Sequence, residues 1–211
     1  VEDTALMLQA MAGYDPKGPT TSEAAVPDYA AALKGTLQGM RIGLPTHFFT
    51  RRPEVDSEYL AIVEHAVEGL QRLGALVKEV TIPSLEYVRA AHLVILQTEA
   101  FTYHRDNLRA RPHDYGESTR MRFYQGAVYT AEDYVQAQRA RSRVTREFNQ
   151  VLQEVDVLVT PSAEKPAGPL ESSDSLASIR GRKYSVSFNL TGLPALTIPC
   201  GFTAAGLPVG L

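Results

Sequence analysis

The sequence predicts an α/β protein, part of a mixed β-sheet flanked by helices, on three observations. Apolar residues repeat at helical spacing over 56–73 and 131–153. Short β-rich runs lie at 40–44, 76–82 and 155–160. Gly74, Pro83 and Pro161 stand at the boundaries between such segments. The 211 residues are 44% hydrophobic and 21% charged, which supports a core and argues against wholesale disorder.

Residues 3–12 read as a helix with Gly13 just past its end, and 15–22 as a polar loop. A short helix is expected over 27–34 and a strand over 40–44, closed by Pro45. The clearest helix is 56–73, where Tyr59, Val63, Ala66, Val67, Leu70 and Leu73 share a face. The Asp56 carboxylate can accept its orphan amide hydrogens, and Gly74 can stop it. With the strand at 76–82, these segments predict a right-handed βαβ unit. Residues 84–107 read as helical, and 112–124 as irregular or short-helical. Thr130 and Asp133 form a capping-box pattern ahead of a long helix, 131–153, with Tyr134, Ala137, Val144, Phe148, Val151 and Leu152 on one face. The apolar run 155–160 suits a strand covered on both sides. A long loop (161–181), a short helix (182–191) and strands at 195–198 and 207–211, joined by a turn at 204–206, complete the chain.

Lys plus Arg number 21 and Asp plus Glu 24, a formal net charge of −3, which argues against a polyanion-binding domain. The single cysteine, Cys200, allows neither an intrachain disulfide nor a cysteine metal cluster. No apolar run has the length of a bilayer span, and Val1-Glu2-Asp3 lacks signal-peptide character, so the expected setting is cytoplasmic, without membrane contact. Both ends read as cut from something larger: Val1 runs almost directly into a helical pattern, and 206–211 is apolar.

Among the histidines (His47, His65, His92, His104, His113) there is no HExxH arrangement. His92 and Glu99 share a predicted helix face, with His104 nearby, which makes a metal pair conceivable and a core or hinge network the simpler reading. Glu99, between Leu96 and Phe101, is expected to be buried and paired with His92 or Tyr103, or to line a cleft. Lys183, Ser185 and Ser187 bring an amine near hydroxyls, but beside Arg180 and Arg182 they read as a solvated basic turn. Cys200 reads as an inert, buried thiol. No GxSxG, Walker A or GxGxxG sequence appears. Arg139, Arg143 and Arg146 are diluted by Glu132, Asp133 and Glu147 and lack interleaved aromatics, the pattern of a solvated helix face.

The densest local signal is Phe188-Asn-Leu-Thr-Gly-Leu-Pro-Ala-Leu-Thr-Ile-Pro-Cys-Gly-Phe202, where Gly192 permits a tight turn and Pro194 fixes entry to a strand. With Gly206-Leu-Pro-Val-Gly-Leu211 it resembles the C-terminal motif of the amidase signature family. Val1 through Pro16 is similar to the helix that follows that family's signature region, and Tyr134–Arg141 and Asp156–Pro161 match in order. The resemblance spans the whole chain and implies the C-terminal part of a single amidase-like domain, residues 1–211, incomplete at both ends.

Members cleave carboxamides with a serine, a cis-configured serine and a lysine. In the family pattern all three precede the segment matching Val1, so the resemblance assigns no catalytic residue here, and the isolated chain is expected to be inactive. It implies that strands 155–160 and 195–199 complete the supporting sheet, and that Tyr124, Tyr129, Phe188, Asn189, Thr191 and Leu193 contribute to the wall of the substrate pocket. Neither a metal nor an organic cofactor is expected. The partners it implies are a small aliphatic or aryl amide and the remainder of the polypeptide, with no direct nucleic-acid contact and a homodimer left open. Two alternatives stand beside the amidase: the glutaminase subunit of a tRNA-dependent amidotransferase, and a non-catalytic structural fragment. Glu99-Ala-Phe-Thr-Tyr-His104 looks more like the stand-alone hydrolases.

Overall fold

The computed structural model describes residues 1–18, 20–33, 35–51, 55–169 and 184–211, in two compact units, Val1–Gln38 and Gly39–Leu211. In the first unit, helix α1 (Glu2–Met11) is joined to α2 (Tyr29–Ala32) by the Tyr29 amide, which donates to Gln9 Oε1 at 2.9 Å. Asp28 caps α2, its carboxylate accepting from the Ala31 amide at 2.9 Å.

The second unit is built on a parallel sheet in the order β2-β1-β3, formed by β1 (Arg41–Leu44), β2 (Leu76–Glu79) and β3 (Val157–Leu158). Arg41 pairs with Leu76, and Ile42 with both Val77 and Val157. Between β1 and β2 runs α4 (Ser57–Arg72), preceded by a short α3 (Thr46–Phe49) that the sequence does not predict. Asp56 Oδ1 accepts from the Tyr59 amide at 2.8 Å, the expected cap. Asp156 accepts from both the backbone and the guanidinium of Arg41, aligning the starts of β1 and β3.

A helical layer follows: α5 (Leu85–Ala110), a 3₁₀ turn (Pro112–Asp114), α6 (Glu117–Gln125), α7 (Ala131–Val151) and α8 (Val186–Thr191). The capping box at Thr130 and Asp133 is formed in full. Val88, Ala91 and Ile95 of α5, Val144 and Phe148 of α7, and Leu190 of α8 share one core with Phe48, Phe49, Ile82 and Tyr184. A large aliphatic or aromatic side chain contributes roughly 1.5–3 kcal/mol on full burial. The Ser84 amide and hydroxyl both donate to Glu147, so a carboxylate of α7 sits at the N-terminus of α5.

Two expectations are corrected. The last hairpin is β4 (Pro199–Phe202) with β5 (Pro208–Gly210), antiparallel and apart from the parallel sheet, and residues 195–197 are exposed. The turn sets this register: Thr203 Oγ1 accepts from the Leu207 amide and the Thr203 carbonyl from the Gly206 amide, placing 199–202 opposite 208–210. The hairpin packs on α4 through Val209, Tyr59 and Val63, and the Tyr59 hydroxyl bonds both the carbonyl and the amide of Gly210. Second, the 155–160 run is not covered on both sides: Val155 is buried, but Val157 is 39% exposed, because β3 pairs only with β1 among the described residues. Of the two forms expected for 112–124, irregular or short-helical, the structure has the second: a 3₁₀ turn at Pro112–Asp114 and the nine-residue α6. Lys183, and the expected loop and helix segments within 170–183, lie outside the described residues.

Candidate functional site: two groups of expected wall residues

Four of the six expected wall residues lie on α8 and the turn after it. Gly192 ends α8 in the left-handed conformation (φ 76°), and its amide donates to the Phe188 carbonyl at 2.9 Å. Thr191 Oγ1 turns back to donate to the Ser187 carbonyl at 2.9 Å. Phe188 is half-buried, its ring edge-on to Phe148 at 6.1 Å, and Leu193 packs against the same core. Asn189, between half-buried Phe188 and buried Leu190, is exposed and makes no part of that core. Ser187 is buried and Ser185 exposed. Thr191 also borders an open polar groove of about 610 Å³ along α7, lined by Gln138, Arg141, Thr145 and Asn149 among others.

The other two, Tyr124 and Tyr129, flank the connection from α6 to α7. Tyr124 is partly exposed and its hydroxyl lies 3.5 Å from the Leu108 carbonyl. Tyr129 is half-buried and donates to Gln97 Oε1 at 2.9 Å. Gln97, 7% exposed, donates in turn from Nε2 to Gln125 Oε1 at 2.6 Å. A Cβ on Gly126 would collide with the Gln97 carbonyl oxygen, so the connection lies directly on the α5 backbone. The six residues thus form two groups: α6 packs on α5, and α8 on α5 and α7.

The hydroxyl of Tyr134, rather than His92 or Tyr103, donates to Glu99 at 2.8 Å, and the pair sits at the surface rather than in the core. Gln138 Nε2 donates to Tyr134 Oη at 2.9 Å. The bond to Glu99 raises the Tyr134 pKa above its ordinary value, because deprotonation would set two anions together. His104 belongs to another network: it stacks on Phe123 at 4.6 Å and its Nδ1 lies 3.1 Å from the Tyr115 hydroxyl. Among the described residues, no three His, Cys, Asp or Glu side chains converge as metal ligands. Cys200 is half-buried, its Sγ 3.5 Å from the Val209 carbonyl, and burial pushes the thiol pKa up. Gln97, Gln125 and Tyr134 are the polar residues that sequence reasoning does not assign. Gln97 is buried away from the Val88–Ala91–Ile95 stripe, so helical periodicity gives no sign of it.

These features define an α/β protein with a parallel sheet flanked by helices and a polar α7–α8 surface. The profile of the Amidase family matches residues 1–211, and the chain belongs to that family, the amidase signature enzymes. It is 39% identical to an amidase of Pseudomonas putida over 98% of this chain and 46% of that protein. It is 34% identical to a glutamyl-tRNA(Gln) amidotransferase subunit of Pseudomonas fluorescens over 100% of this chain and 48% of that one. Among solved structures, the glutamyl-tRNA(Gln) amidotransferase subunit of Thermotoga maritima superposes with a TM-score of 0.79 at 26% identity, over 99% of this chain and 45% of that one. A bacterial aryl acylamidase shares the fold, with a TM-score of 0.81 at 20% identity over 99% of this chain and 46% of that one. The chain spans about half the length of the curated relatives it matches. No helix among the described residues is long and apolar enough to cross a membrane.

Proposed function

We propose that the protein carrying this sequence is a cytoplasmic amidase that hydrolyses a small aliphatic or aryl carboxamide through a serine acyl-enzyme. The observation that carries the reading is the match to an amidase along 98% of this chain at 39% identity. In the chemistry implied by the family, a serine oxygen attacks the amide carbonyl, the C–N bond breaks and the nitrogen leaves with a proton. Water then cleaves the ester to free the carboxylic acid. Backbone amides hold the developing oxyanion. The serine–serine–lysine set lies outside these residues in this reading. The present chain supplies scaffold and pocket wall: Tyr124 and Tyr129 on one segment; Phe188, Asn189, Thr191 and Leu193 on the other. Its partners are the amide and the remainder of its polypeptide.

The second reading, the glutaminase subunit of a tRNA-dependent amidotransferase, is favoured by relatives named as glutamyl-tRNA(Gln) amidotransferase subunits at 34–36% identity. The test assays the gene product alone against simple aryl and aliphatic amides and against glutamine. Amide turnover without other proteins is expected; turnover of glutamine only, and only with partners, would favour the second reading. The isolated 211-residue chain is expected to show no turnover. Activity in it that disappears in Ser185→Ala or Lys183→Ala would contradict the division of labour.

A further inference from the structure

We infer that Gln97 is a positioning residue that holds Tyr129 in the wall of the amide pocket, an inference that rests on the amidase reading. Gln97 is a buried carboxamide on a helix whose other buried members are all apolar. An unpaired amide there would be left without the water it loses on burial, and both of its ends are used. Oε1 accepts from the Tyr129 hydroxyl and Nε2 donates to Gln125 Oε1. The two partners bracket residues 126–128, and in between Gly126 seats the connection against the Gln97 carbonyl. Gln97 therefore grips this connection at both of its ends.

The grip has a chemical consequence. A tyrosine hydroxyl has one proton to donate and lone pairs with which to accept. The Tyr129 proton is committed to Gln97, so Oη retains only acceptor capacity. A wall residue in that state favours a ligand N–H, which a primary carboxamide supplies and an ester does not. Gln97 thereby fixes both the place of Tyr129 and the polarity it offers.

The experiment uses the gene product carrying this sequence and the variants Gln97→Leu, Gln97→Glu, Tyr129→Phe and the Gln97→Leu/Tyr129→Phe pair. A urea-unfolding cycle is expected to show Gln97 and Tyr129 coupled by about fivefold in the unfolding equilibrium, the worth of one hydrogen bond. With a primary aryl amide, Gln97→Leu is expected to raise KM roughly five- to tenfold with kcat changed less than about twofold, and Tyr129→Phe to do the same. The pair should add little further. Gln97→Glu, which keeps an acceptor for Tyr129 but loses the donor to Gln125, should recover part of the loss. With the matching ester, the KM changes should be much smaller. Additive unfolding effects would overturn the inference, as would a Gln97→Leu KM equal to wild type, or an equal loss on amide and ester. A wild-type protein with no amide turnover would fail the amidase reading instead, and the unfolding cycle alone would then decide for or against the grip.

Discussion

Gly126 ends α6 with an ordinary right-handed backbone, so its lack of a side chain serves space rather than conformation. The atoms that a Cβ would meet include the carbonyl carbon and oxygen of Gln97, inside a helix that cannot yield as a side chain can. Gly126→Ala is therefore expected to destabilise by about 1–3 kcal/mol, read as a lower urea midpoint at unchanged slope. Glu147 is a second single-residue control. Burial works against its ionisation, but hydrogen bonds from the Ser84 hydroxyl and amide and from Arg143 outweigh it, holding the carboxyl below its ordinary range. A depressed folded-state pKa contributes stability that is present above the unfolded value and lost as pH falls through the folded one. The urea midpoint gap between wild type and Glu147→Gln should thus be full at neutral pH and shrink as pH drops below the ordinary glutamate range. A gap that widens on acidification would contradict the assignment.

Among the elements, α4 shows most directly how local chemistry reaches distant structure. Asp56 caps it, and Tyr59, whose amide takes that cap, carries the two hydrogen bonds that hold Gly210 of the last hairpin. Asp56→Ala is expected to lose roughly 0.5–2 kcal/mol, seen by urea unfolding, with the far-UV circular dichroism of the folded state retained. Caps of this kind are readable because donor and acceptor lie close together in sequence, and the α4 and α7 starts match the sequence-based expectation for that reason. The β4 register is not readable, because a turn at 203–207 fixes it and not the apolar run at 195–198. Helix α3, directly after Pro45, is too short for periodicity to register. In the candidate site, the helix-to-turn junction at Gly192 is legible from its glycine. The partner of Glu99 and the Gln97 grip depend on residues 28 to 35 positions away, and no local pattern announces such pairs.

For the whole molecule, the proposed function is a division of labour. These residues build a parallel sheet and a helical layer, and carry the two proposed wall segments, in a chain about half as long as the amidase family relatives it matches. Ser185 and Ser187 serve α8 through their backbones: the Ser185 carbonyl accepts from the Phe188 and Asn189 amides, and the Ser187 carbonyl from Thr191 Oγ1. The most direct measurement is peptide mass spectrometry of the gene product after a fluorophosphonate has abolished its amide turnover. The adduct is predicted to lie on a serine outside these 211 residues. An adduct on Ser185, Ser187 or any other residue of this chain would contradict the account.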